Sequence, residues 1–259
     1  MPRFTTAAAL LAAAVAVQAD SITPLPESAN DLELKWQPVM DFDSDSCYNT
    51  AAISPDGTLN PGLDHTCTGV TENCDQVNRL WNSNTYSRSR CNNGVCAIMY
   101  EYYFEKDVVT GACVVSGMEG GHTHEWENVV VFVKDDKAAM VAGSCHGEYE
   151  KDNAWTTEPR MEDTHPKVVY HKDGGLTHCF RMGNKGDDDI ENEEGVWYRS
   201  PLVGWMGWPG KEENYPLYYS MIDNWSGGIG PKIDDEKFGE NLAKAQGSFF
   251  PEFDPYVDE

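Results

Sequence analysis

Gly121-His122-Thr123-His124-Glu125-Trp126-Glu127 runs directly into Asn128-Val129-Val130-Val131-Phe132-Val133. The β-branched run reads as a strand, which places a heptad with two imidazoles and two carboxylates at a strand entrance. Ala97-Ile-Met-Tyr-Glu-Tyr-Tyr-Phe104 and Lys167-Val-Val-Tyr170 are further compact strand signals, separated by clusters of Gly, Asn, Asp and Pro. Helix signals are fewer. Residues 233–246 place Phe238, Leu242 and Ala245 at helical spacing ahead of Gly247, which predicts a C-terminal amphipathic helix. Short strands joined by long loops predict a mainly β chain, a β-sandwich with helices packed outside. No repeat or linker divides the chain, so residues 20–259 are expected to form one domain.

The N-terminus sets the expected compartment. One positive charge at Arg3, an apolar run from Ala7 to Val17 and small residues at Val17-Gln-Ala19 read as a secretory signal peptide over residues 1–19. That run is well short of the ~20 residues that span a bilayer, so the exported chain is expected to lack a transmembrane helix. Eight cysteines suit such a compartment and favour disulfides. They allow roughly 100 pairings, so the connectivity stays open. Cys91-Asn-Asn-Gly-Val-Cys96 has a tight-turn signal at Asn93-Gly94 that brings two flanking strands within reach, and Cys145 and Cys179 are candidates for another pair. The formal net charge is −24, with 43 acidic against 19 basic residues. Such a field repels nucleic-acid phosphates and anionic lipid, which argues against binding through a basic patch.

Imidazole nitrogen and carboxylate oxygen are the side-chain ligands of divalent metals and the acids and bases of catalysis. In a regular strand, alternation sends His122, His124 and Trp126 to one face and Thr123, Glu125 and Glu127 to the other. His122 joins the carboxylates only if the chain bends, and Gly120-Gly121 makes a bend inexpensive. Asp107 is the nearest preceding oxygen donor. Three oxygens and one nitrogen favour calcium, with magnesium as the alternative, over zinc. A set of polar residues satisfied by hydrogen bonds beside Trp126 is the competing account. Two other acidic segments, Asp41-Phe-Asp-Ser-Asp45 and Asp187 to Glu194, are candidates for a second cation but match no EF-hand, and solvated loops account for them better. Asn224-Trp-Ser226 is a glycosylation sequon.

GHTHEWE and the strand after it resemble the GHRHDWE heptad of the necrosis- and ethylene-inducing peptide-like proteins, the NLP cytolysins. Asp43-Ser-Asp-Ser-Cys-Tyr-Asn49, Asn84-Thr-Tyr-Ser-Arg-Ser-Arg90, Ala97-Ile-Met-Tyr100, Phe104-Glu-Lys-Asp107, His165 to Asp173, Trp197 to Trp205 and Phe253-Asp-Pro-Tyr256 are similar to family segments in family order. The extra cysteines look like its cysteine-richer fungal subclass. The resemblance implies a helix-flanked β-sandwich similar to actinoporins and fungal lectins, and a secreted, non-enzymatic toxin. It further implies binding of glycosylinositol phosphorylceramide headgroups on plant plasma membranes through a divalent cation, held here by Asp107, His122, Glu125 and Glu127. Trp155 is an expected sugar contact, although it, Trp205 and Trp208 equally suit packing.

Two departures bear on that expectation. Thr123 stands where the family has Arg, and Glu125 stands where it has Asp, which moves the carboxylate by about 1.5 Å. The segment Val108 to Gly120 is an insertion between Asp107 and His122, in which Cys113 could act as a tether. A carbohydrate-binding protein without lytic action and a metal-dependent hydrolase using His146 or His178 are the alternative functions. Against the hydrolase, the cupin pattern needs Glu where this chain has Asn128 and Val129, and no nucleophile with an oriented base is visible.

Overall fold

The computed structural model describes residues 21–66, 68–109, 120–149, 154–175, 177–205, 216–225 and 229–259. The signal peptide, Cys67, Cys113, Trp208 and Ser226 of the sequon lie outside the described residues. The fold is mainly β, as the strand signals predict. Strands β2 (Thr85–Asn92), β3 (Val95–Val108), β4 (Gly121–Lys134), β5 (Lys137–Gly143), β6 (Trp155–Thr156) and β10 (Leu202–Gly204) form a six-stranded sheet in the order β10-β2-β3-β4-β5-β6. A second sheet pairs β8 (His165–Lys172) with β1 (Val39–Phe42), β7 (Met161–Glu162) and β9 (His178–Met182).

Alternation along β3 and β4 supplies a core on both faces of the larger sheet. Ile98, Tyr100, Tyr102, Phe104, Val129, Val131 and Val133 face the second sheet, where Phe42, Val168, Tyr170 and Phe180 meet them. Ala97, Met99, Tyr103, Val130 and Phe132 turn outward under the C-terminal helix, Phe238–Gln246, and Phe253. Because both faces are covered, these strands read as nearly continuous apolar runs instead of polar–apolar alternation. The helix presents Phe238, Leu242 and Ala245 inward as its spacing predicts. It begins at Phe238 and not at 233, because Asp234 Oδ1 accepts from the backbone N–H groups of Glu236 and Lys237 at 2.9 and 2.8 Å and holds a turn ahead of it.

The Asn93-Gly94 turn has positive φ at both residues and closes the β2–β3 hairpin, with Cys91 opposite Cys96 and disulfide-bonded to it. Cys145 is bonded to Cys179 as expected, and Cys47 to Cys74, a pairing with no local turn to announce it.

Candidate cation and sugar site

The insertion leaves the β3–β4 ladder intact. Asp107 stands directly opposite His122, and Val108 opposite Gly121. Gly121 has φ +147°, and a Cβ there would collide with the Asp107 carbonyl, so the entry into β4 requires glycine. The decisive bend, however, is three residues on. His124 has φ +66°, a left-handed conformation within the strand, and this breaks the alternation expected from the sequence. His122 and Glu125, placed on opposite faces by regular alternation, now meet at 3.2 Å between Nε2 and Oε2. Ligand atoms of Asp107, His122 and Glu125 all lie within 4.8 Å of one another.

Each member is oriented by a partner. His178, from the opposite sheet, donates its backbone N–H to one Asp107 oxygen at 2.8 Å, and its Nδ1 lies 2.6 Å from the other. Its Nε2 lies 2.9 Å from the Asp45 carbonyl. Burial opposes the charged imidazole, but the bond to Asp107 and the charge of that carboxylate hold the His178 pKa above its ordinary value. Asp107 keeps lone pairs beyond the two that His178 uses. His122 Nδ1 lies 2.8 Å from the His124 carbonyl, so the neutral ring turns its Nε2 lone pair toward Glu125. An imidazole nitrogen and a carboxylate oxygen thus face each other at 3.2 Å, a pair that a shared proton or a cation can bridge.

Glu125 Oε1 accepts from the Trp126 N–H at 2.6 Å. Burial, followed by the Asp107 charge, pushes its pKa up to about 8. Glu127 is driven well above the carboxylate range by burial and then by Glu125, against a hydrogen bond donated by Ser144 Oγ. Buried hard oxygens raised by mutual repulsion fit a divalent cation better than they fit water. Glu127 stands one step deeper than the three-residue cluster, beside it in a cavity of about 330 Å³ that is also lined by His146, Tyr149, Thr177 and Lys232.

Other expected residues lie elsewhere. Trp155 does not line the cavity; it packs on Phe249 with ring centroids 5.1 Å apart, because β6 turns it toward the outer core. Trp205 lies under Arg88, which stacks on it at 4.2 Å. Thr123 is not in the cavity lining and donates to the Leu63 carbonyl at 2.8 Å. His124 is structural: its Nδ1 meets the Tyr103 hydroxyl at 2.7 Å, and its ring packs on Trp225. His146 pairs with Asp173 at 3.0 Å, apart from the three-residue cluster. Asn224, the sequon residue, donates through Nδ2 to the Ser220 carbonyl.

Sequence reasoning missed His178 and Ser144 as supports of the site. Their only local signal is adjacency to Cys179 and Cys145, because the acids they hold are distant in sequence. Neither acidic segment forms a cation cradle in the described residues. Asp41 accepts from Asn192 Nδ2 at 2.8 Å, Asp43 and Asp187 pair with Arg181, and Asp188 pairs with Arg160 and Lys167.

The necrosis inducing protein (NPP1) family matches residues 30–245. NLP effector protein 2 of Phytophthora capsici is 26% identical over 196 residues, covering 72% of this chain and 71% of that protein. Across three other curated relatives, the match spans only 31%, 61% and 63% of their length. Among solved structures, Necrosis and Ethylene inducing Protein 2, from the causal agent of cocoa's Witches Broom disease, is similar with a TM-score of 0.67 at 26% identity, over 87% of this chain and 95% of that one. NLPPya in complex with glucosamine shares the fold, with a TM-score of 0.64 at 23% identity over 88% of this chain and 96% of that one. These relatives are named as effectors and necrosis-inducing proteins, not as enzymes.

Proposed function

We propose, from the premise that this chain belongs to the necrosis inducing protein (NPP1) family, that it is a secreted cytolysin acting at plant plasma membranes. The ligand is the sugar headgroup of a glycosylinositol phosphorylceramide, engaged through a divalent cation, calcium or magnesium. The observation that carries this reading is the convergence of Asp107, His122 and Glu125, of which His122 and Glu125 line one cavity together with Glu127. When bound, the cation would supply positive charge and open coordination positions for sugar hydroxyls.

The chain's own residues do the rest. Asp107, Glu125 and Glu127 provide hard oxygens, and His122 provides Nε2. His178 and Ser144 fix the carboxylates before any ligand arrives, so little ordering remains to oppose binding. Recognition by a cation and a hexose requires no basic patch, which reconciles membrane contact with a net charge of −24. No helix among the described residues is long and apolar enough to cross a membrane. The aminosugar bound by NLPPya supports the ligand class.

Dye leakage from vesicles containing this sphingolipid tests the reading, with added calcium or magnesium and with chelator. Leakage that needs the cation and is lost in Asp107→Ala and Glu127→Ala is expected. Retained leakage in either variant overturns the site. Binding without leakage identifies a carbohydrate-binding protein of the same fold.

A further inference from the structure

Four side chains that hold or border the carboxylates sit in two tripeptides, Ser144-Cys145-His146 and Thr177-His178-Cys179. The Cys145–Cys179 disulfide joins the two. Ser144 Oγ donates to Glu127 Oε2 and accepts from the Asn128 N–H at 2.7 Å. His178 holds both oxygens of Asp107. His146 and Thr177 line the cavity and approach each other at 3.4 Å. Ser144, His146 and His178 are thus immediate chain neighbours of a bridged cysteine, and Thr177 is one residue further on.

The tripeptides also belong to different sheets. Ser144 follows β5 of the six-stranded sheet, whereas His178 opens β9 of the four-stranded one. Asp107, His122, Glu125 and Glu127 all stand on the larger sheet, so the side chain that orients Asp107 reaches it from across the sandwich. Phe180, next to Cys179, packs on Tyr102 of the larger sheet with ring centroids 5.1 Å apart. Cys145 and Cys179 form a small buried group with Ala154, apart from both main cores. A backbone bond from Phe180 N to the Ser144 carbonyl, at 3.1 Å, runs alongside.

We propose that the Cys145–Cys179 disulfide is a positioning element of the cation and sugar site, setting the distance between the sheets at which His178 and Ser144 orient Asp107 and Glu127. The proposal rests on the cation reading above for its effect on affinity. Cys91–Cys96 is the natural control, because it closes a hairpin whose turn and ladder already fix the register, and neither cysteine lines the cavity. Outer partners of metal ligands are worth about 10–100-fold in affinity when lost, which sets the size of the expected effect.

The test compares the full-length wild-type protein with Cys145→Ser/Cys179→Ser and Cys91→Ser/Cys96→Ser. Calorimetric titration with Ca²⁺ and Mg²⁺ gives affinity, and NMR follows the His178 Nδ1–H resonance and the exchange of its backbone amide. For the Cys145/Cys179 variant, we expect Kd raised by about 10–100-fold, a shifted or broadened His178 resonance and faster amide exchange. For the Cys91/Cys96 variant, both readouts stay at wild-type values. A folded Cys145/Cys179 variant with wild-type affinity and wild-type His178 signals overturns the proposal. If wild type binds neither ion, the cation reading fails, and the His178 signals alone then decide the positioning role. Should the serine variant not fold, Cys145→Ala/Cys179→Val, which keeps apolar contact with Ala154, is read in the same way. Failure of both to fold makes the bridge a staple of the whole fold and also overturns the proposal.

Discussion

Asp107, Glu125 and Glu127 and the acids around Arg181 are two carboxylate clusters built from the same residue types, and they differ in what faces them. In the first, burial and mutual repulsion dominate, and Glu125 and Glu127 are pushed up. In the second, Arg181 lies 3.0 Å from Asp43 and 2.7 Å from Asp187, while Arg160 and Lys167 take Asp188. Burial acts on Asp187 too, but the bonds from Arg181 and the Asn184 N–H bring its pKa below the ordinary value. Asp43 is the exception, where burial outweighs Arg181 and the pKa ends raised. Acid density alone therefore does not mark a cation site. The clusters differ in what reaches the carboxylates: Arg181, Arg160 and Lys167 contact those of the second directly, whereas the Trp126 N–H and Ser144 Oγ are the donors to Glu125 and Glu127.

The largest expected effect is at the first cluster. Glu125→Gln keeps the shape but removes the charge, and it should raise the divalent-cation Kd by more than about 100-fold in calorimetric titration. A wild-type Kd would erase the contrast between the clusters. Next comes Glu101, buried in β3 beyond Glu127, whose pKa burial pushes up to about 8 from 4.5. The folded state thus holds this proton more tightly than the unfolded chain does. That stabilisation is complete below about pH 4.5 and is lost as pH rises through about 8. Urea melts across this window should fall by on the order of 1.4 kcal/mol per pH unit from this group, and Glu101→Gln should remove that part of the slope.

A smaller effect is expected at the second cluster. Arg181→Met strands Asp43 and Asp187 and should cost about 1–2 kcal/mol after allowance for their partial exposure, with cation affinity at the first cluster unchanged. If calcium restores the melting temperature of that variant, the two clusters differ by the arginine alone, which would sharpen the comparison. Smallest is Asp188→Asn, an exposed change that should leave both melting temperature and cation affinity at wild-type values. A lowered cation affinity there would show that the clusters are coupled.

Much of the fold was legible. Val129 to Val133, the Cys91–Cys96 hairpin and the Phe238-Leu242-Ala245 face each carry their structure in local pattern, because turn chemistry and side-chain period act over a few residues. The site was legible as a set of residues but not as a geometry. Alternation presumes extended φ throughout, and one left-handed residue, His124, reverses which neighbours share a face. Trp155 was misplaced for a related reason: composition identifies an aromatic but not the side of the sheet it packs on.

The sequence by itself determined the helix-flanked sandwich, the heptad with Asp107 as its candidate partner, the excess of acidic over basic residues, and the membership that the family match bears out. Only the tertiary structure decided that His122 and Glu125 meet, that His178 and Ser144 hold the acids in place, and that the acidic segments close on Arg181. The first group depends on contacts near in sequence or on pattern. In the second, His122 and Glu125 meet through the left-handed turn at His124, and the rest depends on pairings such as Asp107 with His178, 71 residues apart and on different sheets, which exist only once the two sheets have packed.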